Sequence, residues 1–158
     1  MMNTPVQVSQ FEYWIQNRLN LQTLYIDGPL TRVPQFNIES ATLEHLTIIL
    51  NPTSKNTVYI HAEKLITLSM AHVTNAKVIA PLLNKIKCTS PSLESGAKYE
   101  FGSSSQAYRP CSPSTIQFYN ALQIDFSELK LCYSNLKTLT IESHTVVTKH
   151  LQMVVSQS

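Results

Sequence analysis

The apolar positions of this chain recur at a nearly constant interval. Residues 36–48 read FNIESATLEHLTI, and residues 58–70 read VYIHAEKLITLSM. Both segments carry apolar or small residues at the same six positions, and the offset between the two segments is identical at all six. These positions are Phe36, Ile38, Ser40, Leu43, Leu46 and Ile48, then Val58, Ile60, Ala62, Leu65, Leu68 and Met70. A fixed period near twenty residues predicts a solenoid of stacked coils.

Further copies extend the pattern in both directions. Leu21, Leu24 and Ile26 precede Leu43, Leu46 and Ile48 by the same offset and match the second half of the unit. A third copy follows the second at a slightly shorter offset, a fourth begins at Leu129, and a weaker one ends the chain. Their positions are Ala76, Val78, Ala80, Leu83, Ile86 and Cys88; Leu129, Leu131, Tyr133, Leu136, Leu139 and Ile141; and His144, Val146, Thr148, Leu151, Val154 and Ser156.

The spacing within one unit predicts two short strands joined by a corner. Three alternate residues place their side chains on one face of an extended strand. Two residues then turn the corner, and L-x-x-L-x-I forms a second strand that faces the same interior. Such a unit is stable only when its neighbours stack on it. The alternative is an ordinary β-rich domain whose strands look alike.

The length of 158 residues suits one domain. We expect a capping helix over 11–20, regular coils over 21–88, an irregular Ser/Pro-rich segment over 89–115 and C-terminal coils over 116–158. Within the irregular segment, Tyr99 and Phe101 alternate as in a strand, which leaves room for a short degenerate coil. The helix follows from the helical spacing of Phe11, Trp14, Ile15 and Leu19. A strand at Leu122, Ile124 and Phe126 is also expected, although its phase does not match the following copy.

Charge and cysteine usage narrow the class of partner and the compartment. The net charge is only +2 and the basic residues are scattered, which argues against nucleic acid. No apolar run approaches the roughly 20 residues that span a bilayer, and no secretory signal begins the chain. Three cysteines without a C-x-x-C pair indicate an intracellular protein, cytoplasmic or nuclear. We expect Cys111 to be the reactive thiol and Cys88 and Cys132 to be protected.

Candidate catalytic residues are few and form no known motif. The chain has three glycines, too few for a P-loop or a dinucleotide fingerprint. Several sets of polar residues invite a catalytic interpretation, but exposed strand or corner positions explain each of them better. They are His61 and His72 with Glu63, His144 with His150, Asp125 with Glu128, and the serines at 103–105. The prediction is a protein without enzyme activity, cofactor, metal or small-molecule substrate; an enzyme of unrecognised type is the remaining alternative.

Two stretches resemble leucine-rich repeats: VYIHAEKLITLSM at 58–70 and LCYSNLKTLTI at 131–141. They are similar to the irregular repeats of plant-type F-box proteins, and FEYWIQNRLNLQTLYI at 11–26 resembles the beginning of such repeat regions. The resemblance implies stacked coils with a parallel β-sheet and a role in substrate recognition for a ubiquitin ligase. The F-box, which would precede residue 11, has no counterpart here. The resemblance therefore implies either recognition without the ligase connection or part of a longer protein.

The predicted function is recognition of another protein by the concave parallel sheet. The residue between the last two apolar positions of each unit points outward on that sheet. The predicted partner-binding residues are Tyr25, Thr47, Ser69, Lys87, Thr140 and Val155. A right-handed β-helix is the alternative fold, because it uses the same inward positions, and it would serve as a structural or adhesin-like scaffold.

Overall fold

The computed structural model describes residues 8–27, 35–51, 55–89, 98–102, 110–119, 129–143 and 149–154. In these residues the chain forms the helix α1 (Val8–Gln16) and eleven strands. The strands are β1 (Thr23–Asp27), β2 (Gln35–Ser40), β3 (His45–Ile49), β4 (Thr57–Ala62), β5 (Thr67–Ala71), β6 (Asn75–Ile79), β7 (Lys85–Thr89), β8 (Lys98–Glu100), β9 (Thr115–Tyr119), β10 (Thr138–Ser143) and β11 (Lys149–Val154).

The described strands form two sheets. One has seven strands in the order β1-β3-β5-β7-β9-β10-β11, and the other has four in the order β2-β4-β6-β8. Up to β9, consecutive strands alternate between the sheets, so each turn of the chain adds one strand to each. Every pair is parallel except β10 with β11. The structure therefore confirms a solenoid of stacked coils.

The register of the strands follows the repeat offsets in the sequence. Leu24 pairs with Leu46, and Leu46 pairs with Leu68, so equivalent positions of successive copies lie side by side. The third copy follows at a shorter offset, and Leu68 accordingly pairs with Ile86. The apolar phase therefore sets the pairing register, because a slip of one residue would turn each buried side chain toward solvent.

The interior between the sheets is filled by the repeated positions. All six positions of each of the three regular copies are buried, from Phe36 to Cys88. In the following coil the space is filled by aromatic rings: Tyr99 on β8 stacks on Phe118 on β9, with centroids 6.2 Å apart. The Tyr99 hydroxyl donates a hydrogen bond to the carbonyl of Val73 at 3.0 Å, so its polar end is satisfied.

In the three regular copies the corner between the two strands of a coil begins at a small residue in the third position. In the second and third copies this residue is Ala62 or Ala80, whose carbonyl accepts the N–H of Leu65 or Leu83 at 3.2 and 3.1 Å. In the first copy the hydroxyl of Ser40 accepts the N–H of Leu43 at 3.1 Å instead. The buried serine thus serves the corner and does not mark a separate site.

Helix α1 caps the four-stranded sheet at its first strand. Ile15 is fully buried, Phe11 packs against the core, and the helix lies on β2. Glu12 accepts the backbone N–H of Asn37 at 2.6 Å, which satisfies a donor on the open edge of β2. A capping helix is confirmed, but its bounds are Val8–Gln16 and not 11–20. Leu19, expected on its buried face, is 81% exposed beyond the helix end.

The fourth coil begins inside the segment 89–115 that the sequence predicts to be irregular, and its second strand, β9, extends to Tyr119. Tyr99 pairs with Ala76 on one sheet, and Ile116 pairs with Ile86 on the other. Between these two strands the chain is longer than in the earlier coils, which hides the repeat in the sequence. The strand expected at Leu122, Ile124 and Phe126 lies outside the described residues.

The C-terminal part corrects the last predicted copy. Leu139 pairs with Ile116 in parallel, so the copy that begins at Leu129 is part of the stack. β11 runs antiparallel to β10, with Leu151 opposite Ile141. Residues 149–154 therefore return along β10 and do not form another coil. The rest of that copy, His144, Val146, Thr148 and Ser156, lies outside the described residues.

Candidate functional site

On the outer face of the seven-stranded sheet, the first six strands each contribute one outward side chain to a straight row. We call this the central row, and its members pair from strand to strand. The row consists of Tyr25, Thr47, Ser69, Lys87, Gln117 and Thr140. Parallel strands stack in register about 4.8 Å apart, so the row spans roughly 25 Å.

Five of the six predicted binding residues lie in this row, with unequal access to solvent. Tyr25 is 62% exposed, Lys87 is exposed, and Thr47 and Ser69 are half-buried. Thr140 is only 6% exposed, because this short side chain lies between the positions of Gln117 and Gln152 on the adjacent strands. Thr140 is thus a poor contact residue. Val155 lies outside the described residues.

Two further residues of this face do not follow from the sequence pattern. Gln117 belongs to the central row, and Tyr119 comes two positions later on β9. The ammonium of Lys87 lies 5.6 Å from the centroid of the Tyr119 ring, in cation–π geometry. The sequence P-S-T-I-Q-F at 113–118 could have identified them, because it fits L-x-x-L-x-I when a buried proline replaces the first leucine.

The row next to the central row consists mostly of hydroxyl-bearing side chains. Its members are Thr23, His45, Thr67, Lys85, Thr115 and Thr138. His45 Nδ1 and Thr67 Oγ1 lie 2.7 Å apart, so side chains of neighbouring coils hydrogen-bond along the row. On strands β1 to β10 this face carries charge of both signs, with Lys85 and Lys87 on β7, Asp27 at the end of β1 and Glu142 on β10.

The residues considered for catalysis are not brought together. His61 lies 3.9 Å from Glu63 on the four-stranded side, whereas His72 lies in a corner with its Nδ1 buried and without a hydrogen bond. Over the part of the chain that the structure describes, no three His, Cys, Asp or Glu side chains could share a metal ion. His144, Asp125, Glu128 and the serines at 103–105 lie outside that part, as do the side-chain details of His150.

A groove of about 410 Å³ runs over the outer face of the four-stranded sheet. The side chains that line it include Glu12, Glu39, Tyr59, Lys77 and Glu100. Each carboxylate in it already has a partner: Glu12 binds the β2 backbone, Glu39 binds Gln16, and Glu100 binds Lys130 at 2.9 Å. Its polar groups thus stabilise the coils and the cap.

The order of reactivity that the structure gives the three cysteine thiols is not the order expected from the sequence. Cys111, the thiol expected to react first, is buried, and burial raises the pKa of its thiol to about 12. Burial also raises the pKa of the Cys88 thiol. Cys132 is half-buried, and hydrogen bonds from Ser134 and then Ser112 lower the pKa of its thiol. The structure therefore makes Cys132 the accessible thiol.

We expect Cys132 to be alkylated first in the native protein, because only the thiolate attacks and this thiol ionises at lower pH than a free cysteine. Mass-spectrometric counting of iodoacetamide adducts should show one fast site at neutral pH. That site should be lost in Cys132→Ser and kept in Cys111→Ser. A fast adduct that persists in Cys132→Ser would contradict the assignment.

Comparisons with known proteins give no family. No family model matches the chain, and no curated protein or solved structure is significantly similar to it. The resemblance to leucine-rich repeats accordingly rests on the sequence pattern alone. In the described residues there is also no helix long and apolar enough to cross a membrane.

Proposed function

We propose that the protein recognises another protein through the outer face of the seven-stranded sheet. The observation that supports this most is the central row, in which successive coils present one outward side chain each in strict register. Repeat proteins bind through surfaces that several repeats assemble together. The groove on the four-stranded sheet gives less support for a reaction, because each of its three carboxylates already has a partner.

The dimensions of the face limit how a partner docks. Six strands of five residues cover roughly 25 Å by 16 Å, or about 400 Å² in projection. A standard interface buries about 800 Å² on each partner. The partner must therefore also contact the corners that border the sheet, and affinity depends on both regions.

Within the face, two places are suited to dominate the binding energy. Tyr25 is a large side chain with 62% of its surface exposed at the first strand. The exposed Lys87 and the half-buried Tyr119 form a pair near the middle of the sheet. Tyrosine is enriched among the residues that contribute most at interfaces, whereas short threonines mainly provide shape.

The proposal does not depend on the type of solenoid. The L-x-x-L-x-I units and their recurrence favour a leucine-rich-repeat protein. Substrate recognition for a ubiquitin ligase adaptor would then be one form of the proposed protein recognition. The two strands in each coil also suit a right-handed β-helix. Both types present the same outward row, so substitutions in that row test the proposal for either type.

A photo-crosslinking amino acid at Thr47 should capture the partner from cell extract, because Thr47 lies in the central row between Tyr25 and Ser69. Thr57 is the matched control, since it is also a half-buried outward threonine but belongs to the four-stranded sheet. With the captured partner purified, Tyr25→Ala with Lys87→Ala should weaken binding by about tenfold or more. Isothermal titration calorimetry measures this loss.

The matched control variant is Tyr59→Ala with Lys77→Ala. It also removes one tyrosine and one lysine, but from the opposite sheet, where the Lys77 ammonium lies 5.8 Å from the centroid of the Tyr59 ring. This variant should keep the affinity of the wild-type protein, and both double variants should keep its melting temperature. Equal crosslinking at Thr47 and Thr57, or equal losses in the two double variants, would show that the seven-stranded sheet is not the binding face.

A further inference from the structure

The four edges of the two sheets are protected to different degrees. β2 is covered by α1, with Glu12 bound to its backbone. β8 is only three residues long and carries Lys98 and Glu100. β11 turns back as an antiparallel strand. Short length, charge and a covering helix are the usual means by which proteins block their sheet edges.

Among the described residues, β1 is the least protected edge, because no helix covers it and its only charged residue is Asp27 at its end. It is five residues long, it is the terminal strand of its sheet, and no described residue pairs with its outer side. It contains no lysine, no proline and no bulge, and its sequence TLYID is mostly apolar or β-branched. An edge of this kind is a template for pairing with another strand.

The backbone groups that point outward from β1 can be identified. The Gln22 carbonyl accepts the N–H groups of Glu44 and His45. Because successive residues of a parallel strand bond to opposite sides, Leu24 and Ile26 also bond toward β3. The N–H and C=O groups of Thr23, Tyr25 and Asp27 consequently face the open edge.

The side chains on β1 define what an incoming strand must carry. Leu24 is partly buried and Ile26 is 9% exposed, so the core at this end of the stack is not fully closed. A strand with apolar residues at alternate positions would place them over Leu24 and Ile26, as β1 places its own over Leu46 and Ile48. The incoming strand would occupy the position that the second strand of a preceding coil would have in this sheet.

A second copy related by a twofold axis does not fit this edge. The four-stranded sheet begins with β2, so if two β1 strands paired about such an axis, the two β2 edges would face each other across only two to three strand spacings, or roughly 10–14 Å. Each β2 edge carries α1, and a helix is about 10 Å across, so the two helices would collide. The same helix leaves β1 uncovered, because it packs on β2.

We propose that the β1 edge binds a single extended peptide segment with alternate apolar residues, as an added parallel strand. The backbone provides the hydrogen bonds and the row of Leu24 and Ile26 selects apolar side chains, as in other cases of strand addition. This site is separate from the outer face of the sheet, so either one can exist without the other.

The probe is a fluorescent, N-acetylated and C-amidated peptide with the sequence of residues 21–27, LQTLYID, since this sequence already forms the same type of strand. Fluorescence anisotropy with the full chain should show saturable binding. Tyr25→Pro removes an outward N–H without breaking the ladder to β3, and proline is tolerated at such positions. We expect Tyr25→Pro to bind about tenfold more weakly than Tyr25→Ala, which loses the same side chain but keeps the N–H.

A modified peptide tests the same bond from the other partner. N-methylation of the peptide at Leu24 blocks the N–H that would face β1 and should abolish binding, whereas N-methylation at Tyr25 blocks one that faces solvent and should have little effect. This comparison uses the wild-type protein, so it does not depend on the folding of a variant. Absence of binding by the parent peptide, or equal binding of the two methylated peptides, would overturn the proposal.

Discussion

Replacement of Leu46 by alanine is expected to lower the free energy of unfolding by about 2–5 kcal/mol, the usual cost of truncating a buried leucine. Leu46 is 1% exposed and lies between Leu24 and Leu68 in the stack of coils. A cavity at this position removes contacts with both neighbours, and neither strand can move inward without breaking its pairing.

The adjacent residue provides the control. Thr47→Ala alters an outward, half-buried position of the same strand and should change the free energy of unfolding by less than about 0.5 kcal/mol. Leu68→Ala and Ser69→Ala form an equivalent pair one coil further on. Urea denaturation monitored by circular dichroism measures all four variants. Similar costs for Leu46 and Thr47 would contradict the assigned faces of β3.

A second large effect is expected at Asn56, a buried polar residue in the corner before β4. Its amide nitrogen donates to the His72 carbonyl at 3.3 Å, and its amide oxygen accepts the Thr74 N–H at 3.0 Å. The side chain thereby joins two consecutive coils. Asn56→Ala should cost about 2–4 kcal/mol, because it removes the acceptor of the buried Thr74 N–H, at about 1–3 kcal/mol, and the donor to the partly buried His72 carbonyl, at about 1 kcal/mol.

Asn75→Ala is the matched control for this second prediction. Asn75 is half-buried and points outward at the start of β6, so its replacement should have little effect on the free energy of unfolding. The same denaturation measurement compares the two asparagines. If Asn56→Ala and the wild-type protein have the same midpoint of urea denaturation, the hydrogen bonds of the Asn56 side chain to the next corner do not contribute to stability.

The regular coils were predictable from the sequence because their buried positions have both a constant phase and constant chemistry. Every inward position from Phe36 to Cys88 is apolar or small, and the pairing register repeats the offsets between the sequence copies. Burial on one face determines the register of a strand, so the phase alone was sufficient.

The sequence did not predict the fourth coil in full, for two physical reasons. Its two strands, β8 and β9, are separated by the long segment 101–114, whereas only the short corner 63–66 separates β4 from β5. Its interior is filled by Tyr99 and Phe118 in place of aliphatic side chains. Because β9 was not predicted, Gln117 and Tyr119 were not assigned to the outer face. The contact between Lys87 and Tyr119 was therefore not predicted either.

The direction of the last strand could not be obtained from the sequence either. Alternation of apolar and polar residues defines the two faces of a strand but is the same in parallel and antiparallel pairs. The residues from Lys149 to Val154 continue that alternation and suit another coil, yet they pair antiparallel to β10. The exposure of Thr140 was overestimated for the same reason, since β11 flanks it.

The first three coils differ in length almost entirely at one of their two corners. The corner between β2 and β3 spans 41–44, and the equivalent corner between β4 and β5 spans 63–66, so the two are equally long. The other corner spans 50–56 between β3 and β4 but only 72–74 between β5 and β6, which accounts for the shorter offset of the third copy. Insertions and deletions at that corner leave the register of both sheets intact. The length of this rim can therefore vary as long as Asn56 keeps its hydrogen bonds to the next corner, and the rim is the natural position for an engineered epitope or a fused domain.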